Sequence, residues 1–202
     1  MSCPVFIGSK SNPLLSDKII QDIQSDFSTN CSLWLDRIYP LAEIGVRKDV
    51  ENADVKFPKI YLNDGNNDYL NAIPDDSNKG YMFFELGSDG EIDRTEDEHT
   101  VELSIVFWVN QKKIDDRTED YIMELVADAL KCLHTGTYKN DITNINYAVN
   151  TDTIFNKYDL SESEVQMLMY PYSAFKLTFN LTVNQDIDCF DAFNVMNGAR
   201  SC

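Results

Sequence analysis

Two stretches of the chain alternate so regularly that their structure follows from the pattern alone. Val101, Leu103, Ile105, Phe107 and Val109 stand between Glu102, Ser104, Val106, Trp108 and Asn110. Successive side chains of a strand point to opposite faces, so this run predicts a strand with one wholly apolar face. Phe175, Leu177, Phe179, Leu181 and Val183 alternate in the same way with Lys176, Thr178, Asn180, Thr182 and Asn184, which predicts a final strand ending near Asn184. Two other segments carry the helical period. Leu15, Ile19, Ile23 and Phe27 recur every fourth residue, with Ile20 beside them, after a start at Asn12-Pro13. They predict an amphipathic helix over 13–28. Tyr121, Leu125, Ala129 and Leu133 form a second stripe, widened by Ile122, Val126 and Leu130, within a helix predicted over 116–134 and stopped at Gly136.

The remaining segments are weaker. Phe57 to Leu62 and Tyr81 to Leu86 read as short strands. Leu33 to Tyr39 suits a strand or a helix, and Pro40 is expected to end it. A further strand fits within 142–150, and Ser161 with Glu164 has the spacing of a capping box for a short helix from Leu160 to Leu168. Strands with one polar face predict an α+β fold, a mainly antiparallel sheet with helices packed on one face. Residues 1–184 are expected to form one domain with an N-terminal arm at 1–12, followed by a tail at 185–202. The connections 63–80 and 87–99 are longer than the ~2–5 residues usual between hairpin strands.

Composition narrows the function classes. The chain has 202 residues, 43% of them hydrophobic, with ten Tyr and eleven Phe, so a disordered chain is excluded. Acidic residues outnumber basic ones 34 to 17, for a net charge of -17. Tight binding to phosphate backbones needs Lys and Arg to displace counterions, and an anionic membrane makes the same demand. The surplus of carboxylates has two readings: solubility, or a surface that nucleic acid passes without being gripped. The five cysteines, at 3, 31, 132, 189 and 202, have no zinc-knuckle spacing, and reduced thiols in a cytosolic compartment are the simplest expectation. Val5-Phe6-Ile7 is too short an apolar run for a signal peptide, and no stretch approaches the ~20 apolar residues of a membrane span. The expectation is a soluble intracellular protein without membrane contact.

Candidate chemistry is sparse. Only His99 and His134 are present, and Cys132 lies two residues from His134, a spacing that does not bring them together on a helix. There is no nucleophile elbow and no phosphate-cradling glycine loop. Asp64-Gly65-Asn66-Asn67-Asp68 has the oxygen spacing of a calcium loop, but Tyr69 replaces the expected glycine and no closing Glu follows, so a polar turn is the simpler account. Asp89, Glu91, Asp93, Glu96, Asp97 and Glu98 crowd around a single Arg94. Without an apolar pocket to raise a pKa, this run reads as a solvated acidic loop or a partner-facing surface. No enzyme activity, catalytic residue, cofactor or metal is expected. The tail is unusual, because Ile187, Phe190, Phe193, Val195 and Met196 follow the last strand where exposed tails are normally polar. It either folds back on its own domain or serves as an assembly arm.

The element order resembles the tail-terminator and head–tail joining proteins of tailed phages, small α+β subunits stacked as rings between portal and tail. The stretches that carry the resemblance are Trp34-Leu35-Asp36-Arg37-Ile38-Tyr39-Pro40, Phe57-Pro58-Lys59-Ile60-Tyr61-Leu62-Asn63-Asp64-Gly65 and Lys79-Gly80-Tyr81-Met82-Phe83-Phe84-Glu85. The Asn-, Asp-, Tyr- and Ile-rich texture is similar to structural proteins of crAss-like phages. The resemblance spans about residues 13–184, and 137–170 departs from the minimal pattern. It implies a virion protein, made in the host cytoplasm, that assembles with itself and with neighbouring connector or tail proteins. DNA would pass through such a ring without tight binding, and the acidic loop would form the channel wall or meet a basic neighbour. Two other classes remain open: an acidic adaptor or inhibitor of a basic protein, and an enzyme whose site has no recognisable motif.

Overall fold

In a computed structural model of the chain, the described residues are 5–6, 15–30, 34–48, 51–62, 69–72, 77–93, 98–116, 120–159 and 169–184. Among them the strands are β1 (Val5–Phe6), β2 (Arg37–Lys48), β3 (Asp54–Tyr61), β4 (Tyr69–Asn71), β5 (Gly80–Asp93), β6 (Glu98–Asn110), β7 (Ile142–Ala148) and β8 (Tyr172–Asn184). The helices are α1 (Leu15–Asn30), α2 (Gln111–Ile114), α3 (Ile122–Thr135) and α4 (Thr151–Ile154). Seven strands run in the order β4-β3-β2-β5-β6-β8-β7, and β1 pairs with β2 beside that path. The pairings are antiparallel except β1–β2 and β2–β5. The fold is α+β with a mainly antiparallel sheet.

The apolar alternation of β6 and β8 builds the main core. Leu103, Ile105, Phe107 and Val109 join Phe175, Leu177, Phe179 and Leu181 under α1 and α3. Phe107 and Phe175 are register partners, and their rings stack 4.5 Å apart at 13°. Phe27 and Trp34 lean on the same Phe107 ring. Each fully buried aromatic or aliphatic side chain of this kind contributes about 1.5–3 kcal/mol. The opposite face is apolar only near one end. There Tyr81, Phe83, Val106, Trp108 and Ala174 are covered by Tyr39, Ile60, Ala72, Ile154 and Phe155. Residues within 137–170 therefore supply β7 as a sheet edge and α4 as a lid on this second core.

Several sequence expectations shift. Pro40 does not end its segment, because β2 runs through it to Lys48. The pairing of β2 with β5 is irregular between Ile38 and Leu41, and a residue without an N–H is tolerated at such a break. The acidic stretch expected as a long loop is mostly strand. β5 continues to Asp93 and β6 begins at Glu98, leaving only 94–97 between them. Pairing to β6, itself paired with β8, overrides the poor strand propensity of Gly and Asp. The second helix starts at Ile122, not at 116. Asp115 is extended, and Asp120 Oδ1 accepts the Ile122 N–H at 3.1 Å, so the first turn is capped there.

Gly136 ends α3 as expected but for a different reason. Its φ is -77°, which any residue can adopt. A Cβ there would sit 2.6 Å from Asp26 Oδ2. Asp26 reaches across from α1 to accept the Thr137 N–H at 2.6 Å, and Asp22 accepts the Tyr138 hydroxyl at 2.9 Å. The missing side chain is what lets the two helices be stitched together at this point. Cys132, expected as a reduced core thiol, is buried and disulfide-bonded. The other four cysteines lie outside the described residues.

Candidate functional site

The second face of the sheet changes character along its length. From the apolar end it passes to a row made of Glu85, Ser104 and Thr178, which are register partners across β5, β6 and β8. Beyond it come Glu102 with Asn180, then Thr100 with Thr182. Hydroxyls bridge the strands, with Ser104 Oγ 2.9 Å from Thr178 Oγ1 and Thr100 Oγ1 3.0 Å from Thr182 Oγ1.

Glu85 is the most demanding residue of this face, a carboxylate only 2% exposed. Lys176 Nζ donates to its Oε2 at 2.8 Å, and Lys157 Nζ stands 3.5 Å from the same oxygen. Lys157 also donates to the Leu86 carbonyl at 2.9 Å. The phenol of Tyr158 lies beside the carboxylate. Burial first, and then the Glu85 charge and hydrogen bonding to it, push that phenol far above its ordinary range. Tyr158 is therefore a donor at any ordinary pH. Both cations face Oε2, while Oε1 is buried without a hydrogen-bond partner, so the desolvation of the carboxylate is compensated at one oxygen only. The chemistry is that of a structural clasp between β5, β8 and the segment after α4.

The polar face leads to the acidic end of the sheet. Register sets Glu91 opposite Thr100 and Asp93 opposite Glu98. These pairs belong to the same β5–β6 ladder that continues through Thr100 to the exposed Glu102. Asp89 lies at the irregularity between Leu86 and Gly90, while Glu96 and Asp97 fall outside the described residues. The structure thus gathers three of the six expected acids on a paired ladder and adds Glu102. The tail residues Ile187, Phe190, Phe193, Val195 and Met196, the calcium-like segment 64–68 and the expected helix 160–168 also lie outside the described residues. His134 is exposed while Cys132 is buried in a disulfide, so the two make no dyad. Among the described residues no group of three or more His, Cys, Asp or Glu is placed to hold a metal ion. Also among them, no helix is long and apolar enough to cross a membrane.

The other end of the sheet carries a groove of about 760 Å³, which falls in the size range of ligand sites. Trp34, Ile114, Tyr121, Leu125 and Ala127 give it a mainly apolar lining, and Asp128 closes one side. Trp34 Nε1 donates to Asp128 Oδ2 at 2.8 Å, so the indole presents no unpaired donor to an occupant. Gln111 holds the α3 end of the groove in place. Its side chain accepts the Tyr121 N–H at 3.0 Å and donates to Asp120 at 2.7 Å, and Tyr121 hydroxyl donates to its carbonyl at 2.5 Å.

Neither the Glu85 clasp nor the groove was foreseen. The signal for the clasp was a charged residue inside each of two apolar strands, Glu85 and Lys176. Their 91-residue separation gave no reason to pair them. The groove is assembled from the approach to β2, the turn before β5, α2 and α3, and no local pattern marks it. No family model, no curated protein and no solved structure matches the chain.

Proposed function

We propose that this chain is a structural virion protein, a ring-forming subunit of a tailed-phage head–tail connector or tail terminator that lines the DNA passage. The observation that carries the reading is the acidic end of the sheet. Glu91, Asp93 and Glu98 belong to a paired strand ladder that also carries the exposed Glu102, which concentrates acidic residues at this end of the sheet. A concentration of carboxylates repels phosphate over about a Debye length, ~8–10 Å at physiological salt, which keeps a duplex moving along a channel from adhering to its wall. The net charge of -17 acts in the same sense. The clasp at Glu85 ties β5, which carries two of these acids, to β8.

The sheet edges also suit contact through side-chain surfaces in place of strand addition. The edge strand β7 is interrupted between Thr143 and Asn146, where Asn144 has a φ of 52°, and β4 is only three residues long. Bulged or very short edge strands discourage uncontrolled pairing. Cryo-electron microscopy of the native particle tests the proposal. The expected result is a closed homo-oligomeric ring with the β5–β6 hairpins turned toward the channel. A single copy per particle overturns it. A hairpin turned outward onto a basic protein would favour an acidic adaptor or inhibitor instead.

A further inference from the structure

We infer that the groove beside Trp34 receives the C-terminal tail of a second copy of this chain, with Phe190 and Phe193 as its anchors. The inference rests on the ring reading for its biological setting and on reach and chemistry for its geometry. β8 ends at Asn184, at the acidic end, where Asn184 pairs with Glu98. The groove lies at the opposite end. Trp34 packs on Phe175, and Lys79, another lining residue, precedes Gly80, the partner of Val109. At ~3.3 Å per strand residue, the path from Asn184 back to the level between Phe175 and Tyr172 is about 30–40 Å. Phe190 lies six residues beyond Asn184 and can extend at most ~21 Å from it. Phe193, nine residues on, reaches ~32 Å only when fully stretched. A tail therefore cannot seat both rings beside Trp34 in its own groove.

A second copy removes that limit. A tail leaving the acidic end of one subunit and entering the groove of the next joins two different surfaces. Such a heterologous contact propagates in one direction and closes into a ring when the rotation allows. The lining suits aromatic anchors, since Trp34, Ile114, Tyr121 and Leu125 offer apolar surface and the indole N–H is already bonded to Asp128. Lys79 and Lys131 stand at the rim, together with Asp115 and Glu124, and the tail carries Asp186, Asp188 and Asp191 next to its rings. Desolvated aromatic anchors surrounded by polar groups are the usual composition of binding hot spots.

The test uses the full chain with a photo-cross-linking amino acid at position 190. An equal mixture of nitrogen-14 and nitrogen-15 protein is irradiated at about 1 mM, where even a millimolar contact is about two-fifths occupied. The expected products are mixed-isotope cross-links to residues lining the groove. The variant Ala127→Trp, at an exposed helix position on the groove wall, should lose them at least tenfold while keeping its melting temperature. Single-isotope cross-links alone would mean that the tail docks on its own chain and would overturn the inference. Mixed-isotope cross-links elsewhere, or none at all, would also overturn it. Copy number in the native particle is measured separately, so the ring reading can stand if the groove fails, or fall on its own.

Discussion

Lys176 Nζ stands 2.8 Å from Glu85 Oε2, and the two side chains are 11% and 2% exposed. The pair ties β5 to β8 across β6 within one sheet. Removing one partner of a buried pair leaves an uncompensated charge and typically costs about 3–5 kcal/mol. Lys157, at 3.5 Å and more exposed, retains part of the compensation. Lys176→Met should therefore destabilise the protein by about 3 kcal/mol in chemical denaturation, at the lower end of that range. The double variant Glu85→Leu/Lys176→Met removes the orphaned charge and should recover at least half of the loss. If the double variant is no more stable than Lys176→Met, the unpaired carboxylate is not the cause.

Tyr158 gives the clasp a signature at high pH. Burial, followed by the neighbouring Glu85, raises the phenol pKa in the folded protein above the ordinary value of 10.0. A group whose folded pKa is raised contributes stability that is fully present below its unfolded pKa. Above about pH 10 the unfolded chain ionises first, and the contribution falls by about 1.4 kcal/mol per pH unit. Urea unfolding of the wild type and of Tyr158→Phe from about pH 9 to pH 11.5 isolates this group from the other tyrosines. The wild type should lose stability more steeply than the variant. Parallel slopes would show that the phenol is not held protonated by its surroundings.

The contact of Gly136 with Asp26 predicts a specific non-additivity. In Gly136→Ala the new Cβ would lie 2.6 Å from Asp26 Oδ2 and 3.1 Å from the Cys132 carbonyl. Asp26 must move, and its hydrogen bonds to the Thr137 N–H and hydroxyl weaken. Overpacking and a lost charge-assisted bond together suggest a cost of about 1–3 kcal/mol. In an Asp26→Ala background the crowding atom is gone, so the same substitution should cost less than half as much. Equal costs in both backgrounds would place the strain at the Cys132 carbonyl.

What the sequence disclosed was what local periodicity encodes. β6 and β8 were legible because Phe107 and Phe175 each sit in an unbroken apolar alternation, and α1 and α3 because their stripes repeat at helical spacing. The passage of β2 through Pro40 was hidden, since Pro normally ends such runs and the bulge that admits it belongs to the pairing with β5. The strand character of Glu91 and Asp93 was hidden for a related reason: their own propensities oppose it and the β6 ladder supplies it. Glu85 met Lys176 only through two strand registers. Acidic crowding was visible, whereas its place on a paired strand ladder was not. The groove at Trp34 depends on how α2 and α3 meet the sheet, which no run of residues records.

The last prediction concerns duplex DNA. Affinity for a duplex grows with the number of phosphates neutralised by Lys and Arg, and non-specific binders reach roughly 10⁻⁴–10⁻⁶ M at physiological salt. The whole chain has a net charge of -17, but a local basic patch could still bind. Lys79, Lys112, Lys113 and Lys131 lie around the groove and α2, and Arg47, Lys48, Lys56 and Lys59 lie on the β2–β3 hairpin with Glu43, Glu51 and Asp54 among them. The groove region also holds Asp115, Asp116, Asp120, Glu124 and Asp128, which outnumber its lysines. At the opposite end the strand ladder carries positions 91, 93 and 98 with Glu102. Neither end offers a counterion-release term. The purified protein should give no mobility shift with a duplex at about 0.15 M salt up to about 10 μM. A shift in that range, weakening steeply as salt rises, would reveal a basic surface and remove the physical basis for a repelling channel wall.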